Sequence, residues 1–516
     1  MHIGVDVGGT NTDAALIDGD RVIAQIKSPT TEDVASGVMA AVSDVLDQTG
    51  RGPADVANVM IGTTQFTNAF VEAKKLIPVA TFRAALPATE SLLPMVDFPQ
   101  RLRDVIGQTS YLVGGGYEFD GREIRSLDED AVSLAARDMK AKGIRSAAVS
   151  GVFSPINGTM EQRMAEIILE EAPGTHIALS SEIGRVGLIE RENATIMNAS
   201  LADLSRKVVG AFRDALRDLT FTCPFFISQN DGTLMTAEFA EKYPVLTFAS
   251  GPTNSMRGAA FLSGVKDGVV IDIGGTTSDV GVLKDGFPRE SALAVDIGSV
   301  RTNFRMPDIL AIGLGGGSIV RETDYGVTVG PDSVALKLTE KALVFGGDTM
   351  TATDIAVAAG LATIGDPGHV AHLGQNLVTA ALDEMHRLLE QAVDKVKSSQ
   401  GNVPVILVGG GAILVDRKIA GASDVVRPEN SGVANAIGAG LAQVGGEVDK
   451  IFSYEEIGRE VAMDQAKAEA RERAIAAGAG PEATEIISID EVPLAYLPGG
   501  AVRIKAKAIG DLAGVA

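Results

Sequence analysis

The sequence predicts an α/β fold in which two related domains face a common cleft, followed by a small carboxyl-terminal tail. The first observation is a glycine-rich hairpin at residues 269–283, and the second is a copy of that hairpin at residues 3–17. The third is an alternation of apolar strands and amphipathic helices between residues 128 and 180, which is typical of a largely parallel sheet.

The hairpin at 269–283 has the sequence Val-Val-Ile-Asp-Ile-Gly-Gly-Thr-Thr-Ser-Asp-Val-Gly-Val-Leu. A buried strand contains Asp272, and Gly274 and Gly275 permit a tight turn at which bare backbone can approach a ligand. Backbone N–H groups and hydroxyls at such a turn suit a phosphate. A carboxylate at the strand end suits a hydrated Mg²⁺. The hairpin therefore predicts a phosphate site with a metal ion beside it.

The amino-terminal copy has the sequence Ile-Gly-Val-Asp-Val-Gly-Gly-Thr-Asn-Thr-Asp-Ala-Ala-Leu-Ile. A shift of 266 positions places Asp6 on Asp272 and Asp13 on Asp279, and the Gly-Gly-Thr triplets coincide as well. Because an internal repeat implies two related domains, we expect two phosphate turns that face each other and form a nucleotide clamp.

Composition narrows the functional classes. The length of 516 residues predicts two or three domains, and the net charge of −22, without a Lys/Arg-rich run, argues against nucleic acid as a partner. No apolar run reaches the roughly 18 residues of a membrane span. The single cysteine, Cys223, excludes an intrachain disulfide, and Met1 leads directly into the first strand without room for a signal peptide. We expect a cytoplasmic protein that binds no membrane.

Apolar periodicity predicts the remaining elements. Helices are expected at residues 31–47, 128–142, 160–171, 354–361, 377–396, 435–442 and 454–477, and along a long segment through Leu201 and Leu216. Strands are expected at 56–61, 77–82, 146–152, 177–180, 224–229, 308–312, 403–408, 486–492 and 502–508. A polar stretch with clustered charge occupies residues 181–193, ahead of the long helix.

These elements divide into three predicted segments: a first domain at 1–185, a second domain at 186–445, and a tail at 446–516 that contains a charged helix and two strands. The tail is expected either as a small appended domain or as an interaction arm. Within the second domain, Gly409-Gly410-Gly411 follows a strand about 135 residues after the second hairpin. Backbone without side chains at that position can lie flat against a purine.

The two hairpins and the triple glycine, in this order, resemble the actin-like (ribonuclease H-like) ATPase superfamily. Further motifs resemble those of the hydantoinase A and 5-oxoprolinase family of ATP-dependent lactam hydrolases. The matching stretches follow the family's order within residues 1–445: residues 7–13, 61–64, 68–69, 250–252, 272–280, 312–319, 329–331 and 353–354.

The resemblance implies ATP and Mg²⁺ as cofactors, bound between two actin-like domains. Asp6 and Asp272 would orient the metal ion, and Asp13 or Asp279 would take a proton or place the acceptor oxygen, so all four are candidate catalytic residues. The candidate nucleotide-binding residues lie in the turns and glycine-rich loops: Gly8, Gly9, Thr10, Asn11, Thr12, Gly274, Gly275, Thr276, Thr277, Gly315, Gly316, Gly317, Ser318, Gly409, Gly410 and Gly411.

The leading functional prediction is an ATP-dependent hydrolase subunit that phosphorylates the carbonyl oxygen of a small cyclic amide such as hydantoin or 5-oxoproline. The resemblance further implies a separately encoded second hydantoinase subunit, and we expect an oligomer. Two alternatives stay open. One is a small-molecule kinase with a stable phosphorylated product, and the second is a non-catalytic, ATP-driven reactivating factor for a partner enzyme.

Overall fold

The computed structural model of the protein describes residues 1–8, 11–30, 34–291, 294–304, 306–441, 443–495, 497 and 499–512. The strands, in chain order, are β1 (His2–Val7), β2 (Asn11–Asp18), β3 (Arg21–Pro29), β4 (Asn58–Thr63), β5 (Ala80–Leu86), β6 (Thr109–Gly114), β7 (Ser146–Gly151), β8 (His176–Leu179), β9 (Phe225–Ser228), β10 (Leu234–Thr236), β11 (Gly268–Ile273), β12 (Ser278–Lys284), β13 (Phe287–Pro288), β14 (Val295–Ile297), β15 (Val300–Thr302), β16 (Ile309–Ile312), β17 (Ser318–Thr323), β18 (Gly326–Ser333), β19 (Val403–Val408), β20 (Ala422–Val426), β21 (Gln443–Ser453), β22 (Glu485–Pro493) and β23 (Ala501–Asp511).

The α-helices are α1 (Val34–Asp47), α2 (Gln65–Val71), α3 (Gln100–Ile106), α4 (Glu129–Ala141), α5 (Thr159–Glu171), α6 (Ser180–Ile183), α7 (Leu188–Ser200), α8 (Ala202–Asp218), α9 (Ala237–Lys242), α10 (Ser250–Ser263), α11 (Leu338–Lys341), α12 (Ala352–Ala358), α13 (Gln375–Val396), α14 (Ala434–Ala439), α15 (Tyr454–Ile457) and α16 (Arg459–Ala476). Short 3-10 helices lie at Pro53–Asp55, Pro244–Thr247, Ala335–Lys337, Leu343–Phe345, Pro367–Val370, Gly410–Leu414, Ser431–Val433 and Pro481–Ala483. None of the described helices is both long and apolar enough to cross a bilayer.

Two sheets carry the glycine-rich hairpins. Within the described ranges, the first sheet has nine strands in the order β22-β23-β21-β10-β9-β4-β1-β2-β3. The second sheet has the order β13-β12-β11-β19-β20, with β16 also paired to β12.

The two sheets share a topology. In the first sheet, β1, β2 and β3 form an antiparallel meander, and β4 and β9 continue on the opposite side of β1 in parallel. In the second sheet, β11, β12 and β13 form the meander, and β19 and β20 continue in parallel. The repeat in the sequence is therefore a repeat of strand order as well.

A smaller parallel sheet, β6-β5-β7-β8, lies between β4 and α7 in chain order and has its own core with α4 and α5. Asp128 accepts a hydrogen bond from the N–H of Ala131 and caps α4, as its place before the apolar run predicts. The parallel strands confirm the prediction of an α/β sheet from the alternation of strands and helices in this part of the chain.

Sheet membership groups the chain differently from the predicted segments. Strands β9 and β10, expected in the second domain, belong to the first sheet, and so do the tail strands β22 and β23. The link is the 11-residue strand β21, which was not predicted and which pairs with β10 through Val444 and Leu234. Periodicity cannot reveal pairing between strands that are more than two hundred residues apart, so the boundaries at 185 and 445 do not coincide with the sheets.

The tail helix is part of the fold rather than a free arm. Helix α16 buries a stripe of alanines at four-residue spacing, Ala462, Ala466, Ala470 and Ala474. A Cβ on Gly446 of β21 would lie 2.2 Å from the backbone nitrogen of Ala474. The absence of a side chain at Gly446 thus allows the helix backbone to contact the strand directly.

The carboxyl-terminal end of the polar stretch at 181–193 is buried, although clustered charge is more typical of a solvated surface. Residues 188–193 begin α7, and Arg191, Glu192 and Asn193 lie in the interior. The Arg83 guanidinium donates two hydrogen bonds to Glu192 at 2.6 and 2.7 Å, and Ser150 donates a third at 2.7 Å. Buried charge is tolerated here because each carboxylate oxygen of Glu192 has donors from elements remote in sequence.

Candidate active site

The two hairpins have the same local structure. Asp6 lies opposite Asp13 in the pairing of β1 with β2, and Asp272 lies opposite Asp279 in the pairing of β11 with β12. At the turns, the N–H of Gly8 donates to the carbonyl of Asn11 at 2.9 Å, and the N–H of Gly274 donates to the carbonyl of Thr277 at the same distance. The aspartates therefore occupy matching positions at the turn ends of the two sheets.

The loop at 313–318 packs against the second turn. The N–H of Gly316 donates to the carbonyl of Gly274 at 3.0 Å, and the N–H of Gly317 donates to the carbonyl of Gly275 at 2.7 Å. A Cβ on Gly315 would lie 2.7 Å from the carbonyl carbon of Gly275. The glycines of this loop thus support the turn through close backbone contact.

The triple glycine lies against the same hairpin. A Cβ on Gly409 would lie 2.3 Å from Oδ1 of Asp272, and the backbone there has a positive φ of 82°. A Cβ on Gly411 would lie 2.4 Å from Cγ2 of Ile273. Both positions require glycine for close packing, and Gly409 also requires it for its conformation.

Two of the predicted glycines instead face open space. A Cβ on Gly275 or on Gly410 would meet no atom within 4 Å, and both residues are exposed. Gly275 lies in the second hairpin turn, and Gly410 lies between the two packed glycines of the triplet. These two positions leave bare backbone accessible to a ligand.

The carboxylates of the first hairpin are held by side-chain amides and a lysine. Asn435 Nδ2 donates to Oδ2 of Asp6 at 3.0 Å and to Oδ2 of Asp13 at 2.9 Å. Asn254 Nδ2 donates to Oδ1 of Asp6 at 3.3 Å. Lys27 Nζ pairs with Oδ2 of Asp13 at 2.9 Å. Asp13 is buried, and its Oδ1 has no hydrogen-bond partner among the described residues.

Burial and then the adjacent Asp13 carboxylate raise the pKa of Asp6, the hydrogen bonds from the amides of Asn254 and Asn435 lower it, and the net pKa is about 6. The Asp272 carboxylate also raises the pKa of Asp6, so the acidic groups of the two hairpins lie within electrostatic reach of each other. Burial raises the pKa of Asp13 as well, against the effect of the Lys27 ammonium.

The carboxylates of the second hairpin have fewer donors. Burial raises the pKa of Asp272, and a hydrogen bond from Ser255 lowers it. Burial and the neighbouring Asp272 carboxylate raise the pKa of Asp279 to about 7. Asp279 is therefore a carboxyl group of the site whose pKa lies near neutral pH.

The donor set fits a magnesium ion. No group of three or more His, Cys, Asp or Glu side chains able to hold a metal occurs in the described part of the chain. Mg²⁺ usually takes only one or two carboxylates and completes its shell with water and phosphate oxygens. Asp6 and Asp272 are the predicted pair, and Oδ1 of Asp13, beside Asp6, has no hydrogen-bond partner among the described residues.

The structure places the remaining predicted nucleotide-binding residues as follows. Thr12 is buried, with its hydroxyl 3.2 Å from that of Thr30, and Ser318 is buried and accepts a hydrogen bond from the N–H of Gly315 at 2.8 Å. Asn11, Thr276 and Thr277 lie at the hairpin turns and are at least partly exposed. Gly9 and Thr10 lie outside the described residues.

Sequence reasoning missed Asn254, Asn435 and Lys27. Asn254 lies two residues after the Ser250-Gly251-Pro252 motif, and Asn435 begins the glycine- and alanine-rich segment that was predicted as a helix. Proximity to the motif at 250–252 was the available signal for Asn254. The contacts of Asn254 and Asn435 with Asp6 depend on helices that are remote from Asp6 in sequence, and Lys27 contacts Asp13 from the neighbouring strand β3.

Comparison with family models assigns the chain in two parts. The model described as "Hydantoinase/oxoprolinase N-terminal region" matches residues 2–172, and the model described as "Hydantoinase/oxoprolinase" matches residues 191–366. Together they confirm the resemblance inferred from the motifs.

Curated relatives match over about two thirds of this chain. The acetophenone carboxylase gamma subunit of Aromatoleum aromaticum is 28% identical over 392 residues, covering 69% of this chain and 53% of the relative. The caprolactamase subunit alpha of Pseudomonas jessenii is 25% identical over 394 residues (70% and 54%), and the acetone carboxylase beta subunit of Xanthobacter autotrophicus is 26% identical over 401 residues (69% and 54%). The chain spans about half the length of these relatives.

Solved structures of similar fold match over nearly the whole chain. The ATP-dependent caprolactamase of Pseudomonas jessenii has a TM-score of 0.78 at 19% identity, and the match covers 99% of this chain and 87% of that one. A nucleotide-free acetone carboxylase has a TM-score of 0.68 at 19% identity, covering 99% and 88%. These likenesses confirm the predicted α/β fold.

Proposed function

We propose, from the premise that this chain belongs to the hydantoinase/oxoprolinase family, that it is an ATP-dependent subunit that phosphorylates the carbonyl oxygen of a cyclic amide. The observation that carries the proposal is the matched pair of hairpins. Their carboxylates lie within electrostatic reach of each other, and the turn glycine Gly275 and the loop glycine Gly410 leave bare backbone open.

The proposed chemistry overcomes the low reactivity of a lactam. The ring nitrogen donates electrons into the carbonyl, which makes the carbon a poor electrophile. Attack of the carbonyl oxygen on the terminal phosphorus of ATP would release ADP and convert that oxygen into a leaving group. Water would then add at the carbon, and the tetrahedral intermediate would expel the ring nitrogen as an amine that takes up a proton, which opens the ring and leaves an acyl phosphate. A second water would hydrolyse the acyl phosphate to a carboxylate and free phosphate. Phosphoryl transfer requires mainly positioning and neutralisation of charge.

The residues present suit these roles. Asp6 and Asp272 would hold Mg²⁺, which when bound neutralises phosphate charge. Open backbone at Gly275 would accept the phosphates, and Gly410 would lie against the base. Asp13 and Asp279 are the candidate proton acceptors: burial raises the pKa of both carboxyl groups, and the Lys27 ammonium opposes the rise at Asp13.

The names of the relatives support a carbonyl substrate and leave its class to experiment. Caprolactamase is named for a lactam, and two further relatives are named as carboxylases of acetone and acetophenone, which are ketones. All three compounds contain a carbonyl oxygen that can accept a phosphoryl group. Ketone activation for carboxylation is therefore a second candidate function. All three relatives are also named as subunits, which supports the proposal of a separately encoded partner.

Release of ADP tests the proposal. We expect turnover of MgATP when hydantoin, 5-oxoproline or caprolactam is added, in the presence of the partner subunit, with an opened ring and free phosphate as products by mass spectrometry. Turnover only with acetone or acetophenone plus bicarbonate would favour the carboxylase candidate instead.

A kinase and a reactivating factor would each give a different result in the same assay. A stable phosphorylated small molecule would indicate a kinase. Turnover of MgATP that responds to a protein and to none of these carbonyl compounds would indicate a reactivating factor and would refute the proposed function.

A further inference from the structure

The chain passes between its two hairpin-bearing sheets along α10 and α14. In chain order, helix α10 comes between β10 of the first sheet and β11 of the second, and α14 comes between β20 of the second sheet and β21 of the first. The two helices pack backbone to backbone: a Cβ on Gly438 would lie 1.8 Å from the carbonyl oxygen of Asn254, and one on Gly258 would lie 1.9 Å from that of Ala434.

Each of these connecting helices places one asparagine on Asp6. Asn254 of α10 donates to Oδ1, and Asn435 of α14 donates to Oδ2. Asn435 differs because its single amide nitrogen also donates to Asp13 at 2.9 Å. An NH₂ group has two hydrogens, and here each hydrogen is directed to a different carboxylate.

The segment before α14 is attached to the same hairpin. Lys27 of β3 donates to Asp13 at 2.9 Å and to the carbonyl of Gly432 at 3.1 Å. Gln25 of β3 donates to Oδ1 of Asn430 at 2.9 Å. The return segment from the second sheet is therefore tied to the first hairpin by side-chain hydrogen bonds.

We propose that Asn435 is a positioning residue that sets the spacing of Asp6 and Asp13 and makes this spacing depend on how α14 is seated between the sheets. Strand pairing fixes the backbones of Asp6 and Asp13, but two ionised carboxylates repel each other and neither can donate a hydrogen bond to its neighbour, so a shared donor favours one separation of the side chains. The consequence for nucleotide binding rests on the proposed function. The positioning of the carboxylates follows from the contacts alone.

A purely structural asparagine provides the contrast. Asn198 of α7 is buried, its Nδ2 donates to the carbonyl of Lys242 at 2.8 Å, and its Oδ1 accepts from the N–H of Val245, so its hydrogen bonds include none to the four aspartates. Replacement of Asn198 by alanine also removes an amide hydrogen bond from a helix. Only the loss of Asn435 should alter the first hairpin.

The test compares Asn435→Ala with Asn198→Ala in the whole chain, first without nucleotide. Loss of a hydrogen bond to a charged group corresponds to roughly a tenfold or larger change in a local equilibrium. Hydrogen exchange of peptides covering β1 and β2 should therefore accelerate about tenfold in Asn435→Ala and stay at the parent rate in Asn198→Ala. The second readout is MgADP affinity by calorimetry, which should fall by about 10- to 100-fold for Asn435→Ala alone, as is usual when a partner of a metal-binding carboxylate is removed.

A folded Asn435→Ala protein with parent exchange rates in β1 and β2 and parent MgADP affinity would overturn the proposal. Should Asn435→Ala fail to fold, Lys27→Gln tests the same cluster from the strand side and should accelerate exchange in the same peptides. Parent rates in that variant would count equally against the proposal. Failure of the parent protein to bind MgADP would overturn the proposed function alone, because the exchange comparison uses no nucleotide and still decides the role of Asn435.

Discussion

Gly275 offers the most direct test of the nucleotide site, because a side chain there should block a ligand without disturbing the protein. A Cβ at this exposed position would meet no atom within 4 Å, and Gly275 is not among the glycines with positive φ. Substitution Gly275→Ala should therefore change the free energy of unfolding only slightly, with a gain of up to about 1 kcal/mol from reduced freedom of the unfolded chain.

The expected cost appears in binding. A methyl group at the turn would hold a phosphate away from the backbone N–H groups, and one charge-assisted hydrogen bond contributes about 1.5–3 kcal/mol. This free energy corresponds to a loss of about 10- to 150-fold in affinity for MgADP. Gly275→Val, with a larger side chain at the same place, should weaken binding further.

Calorimetric titration with MgADP and urea unfolding measure the two effects separately. Gly374→Ala is the matched control, since Gly374 also has negative φ (−64°) and a Cβ there would meet no atom within 4 Å, but it lies at the start of α13. The affinity of Gly374→Ala should equal that of the parent. Gly315→Ala should instead lose about 1–3 kcal/mol of stability, because the added methyl group would be overpacked against Gly275. If Gly275→Val binds MgADP like the parent, the turn does not contact phosphate and the assignment of the site is wrong.

The carboxylates proposed to hold the metal ion, the contact between the connecting helices and the partly buried His176 give three more measurable expectations. Asp6→Asn and Asp272→Asn should each lower MgATP-dependent turnover, measured as ADP release, by about 100-fold or more, because each removes one of the carboxylates proposed to hold the metal ion. Full activity in both variants would mean that the hairpins are only scaffold. Gly438→Ala should destabilise the protein by about 1–3 kcal/mol, because the added methyl group clashes with Asn254. Gly210→Ala, in α8 with open space around the added methyl group, should stabilise the protein by about 0.5–1 kcal/mol. Equal urea midpoints for the two variants would contradict this expectation. Burial and then the nearby Arg206 guanidinium lower the pKa of His176 from 6.5 to about 4. Between these two pH values only the unfolded chain binds the proton, so lowering the pH from 7 to 5 should reduce the free energy of unfolding by up to about 2 kcal/mol, a loss that His176→Gln should not show. Parallel pH profiles of the parent and this variant would refute this account.

Local features of the fold could be predicted because neighbouring residues encode them. The paired hairpins follow from Gly-Gly turns between apolar strands, and α4, α5 and α13 follow from apolar periodicity within a few turns of helix. The repeat was visible because the same backbone turn requires the same residue types in both sheets. The fold class and the four aspartates therefore needed no tertiary information.

The polar segment at 188–193 and the strand β21 show where that approach fails. Clustered charge normally indicates a solvated surface, but Glu192 is buried against Arg83, which is 109 residues away in sequence. Strand β21 is placed by its pairing with β23, which joins the tail to the first sheet. Both outcomes depend on partners that no local pattern identifies.

The sequence by itself determined the residue types of the candidate site: paired aspartates in buried strands, and glycines at the turns beside them. Only the tertiary structure decided their individual roles. It separates Gly275, which faces open space, from Gly315, whose Cβ would meet the backbone of that same turn. It also brings Asn435 onto Asp6 from 429 positions away. The physical reason is that side-chain packing and hydrogen bonding act through space, so their partners are set by how the two sheets and their connecting helices assemble.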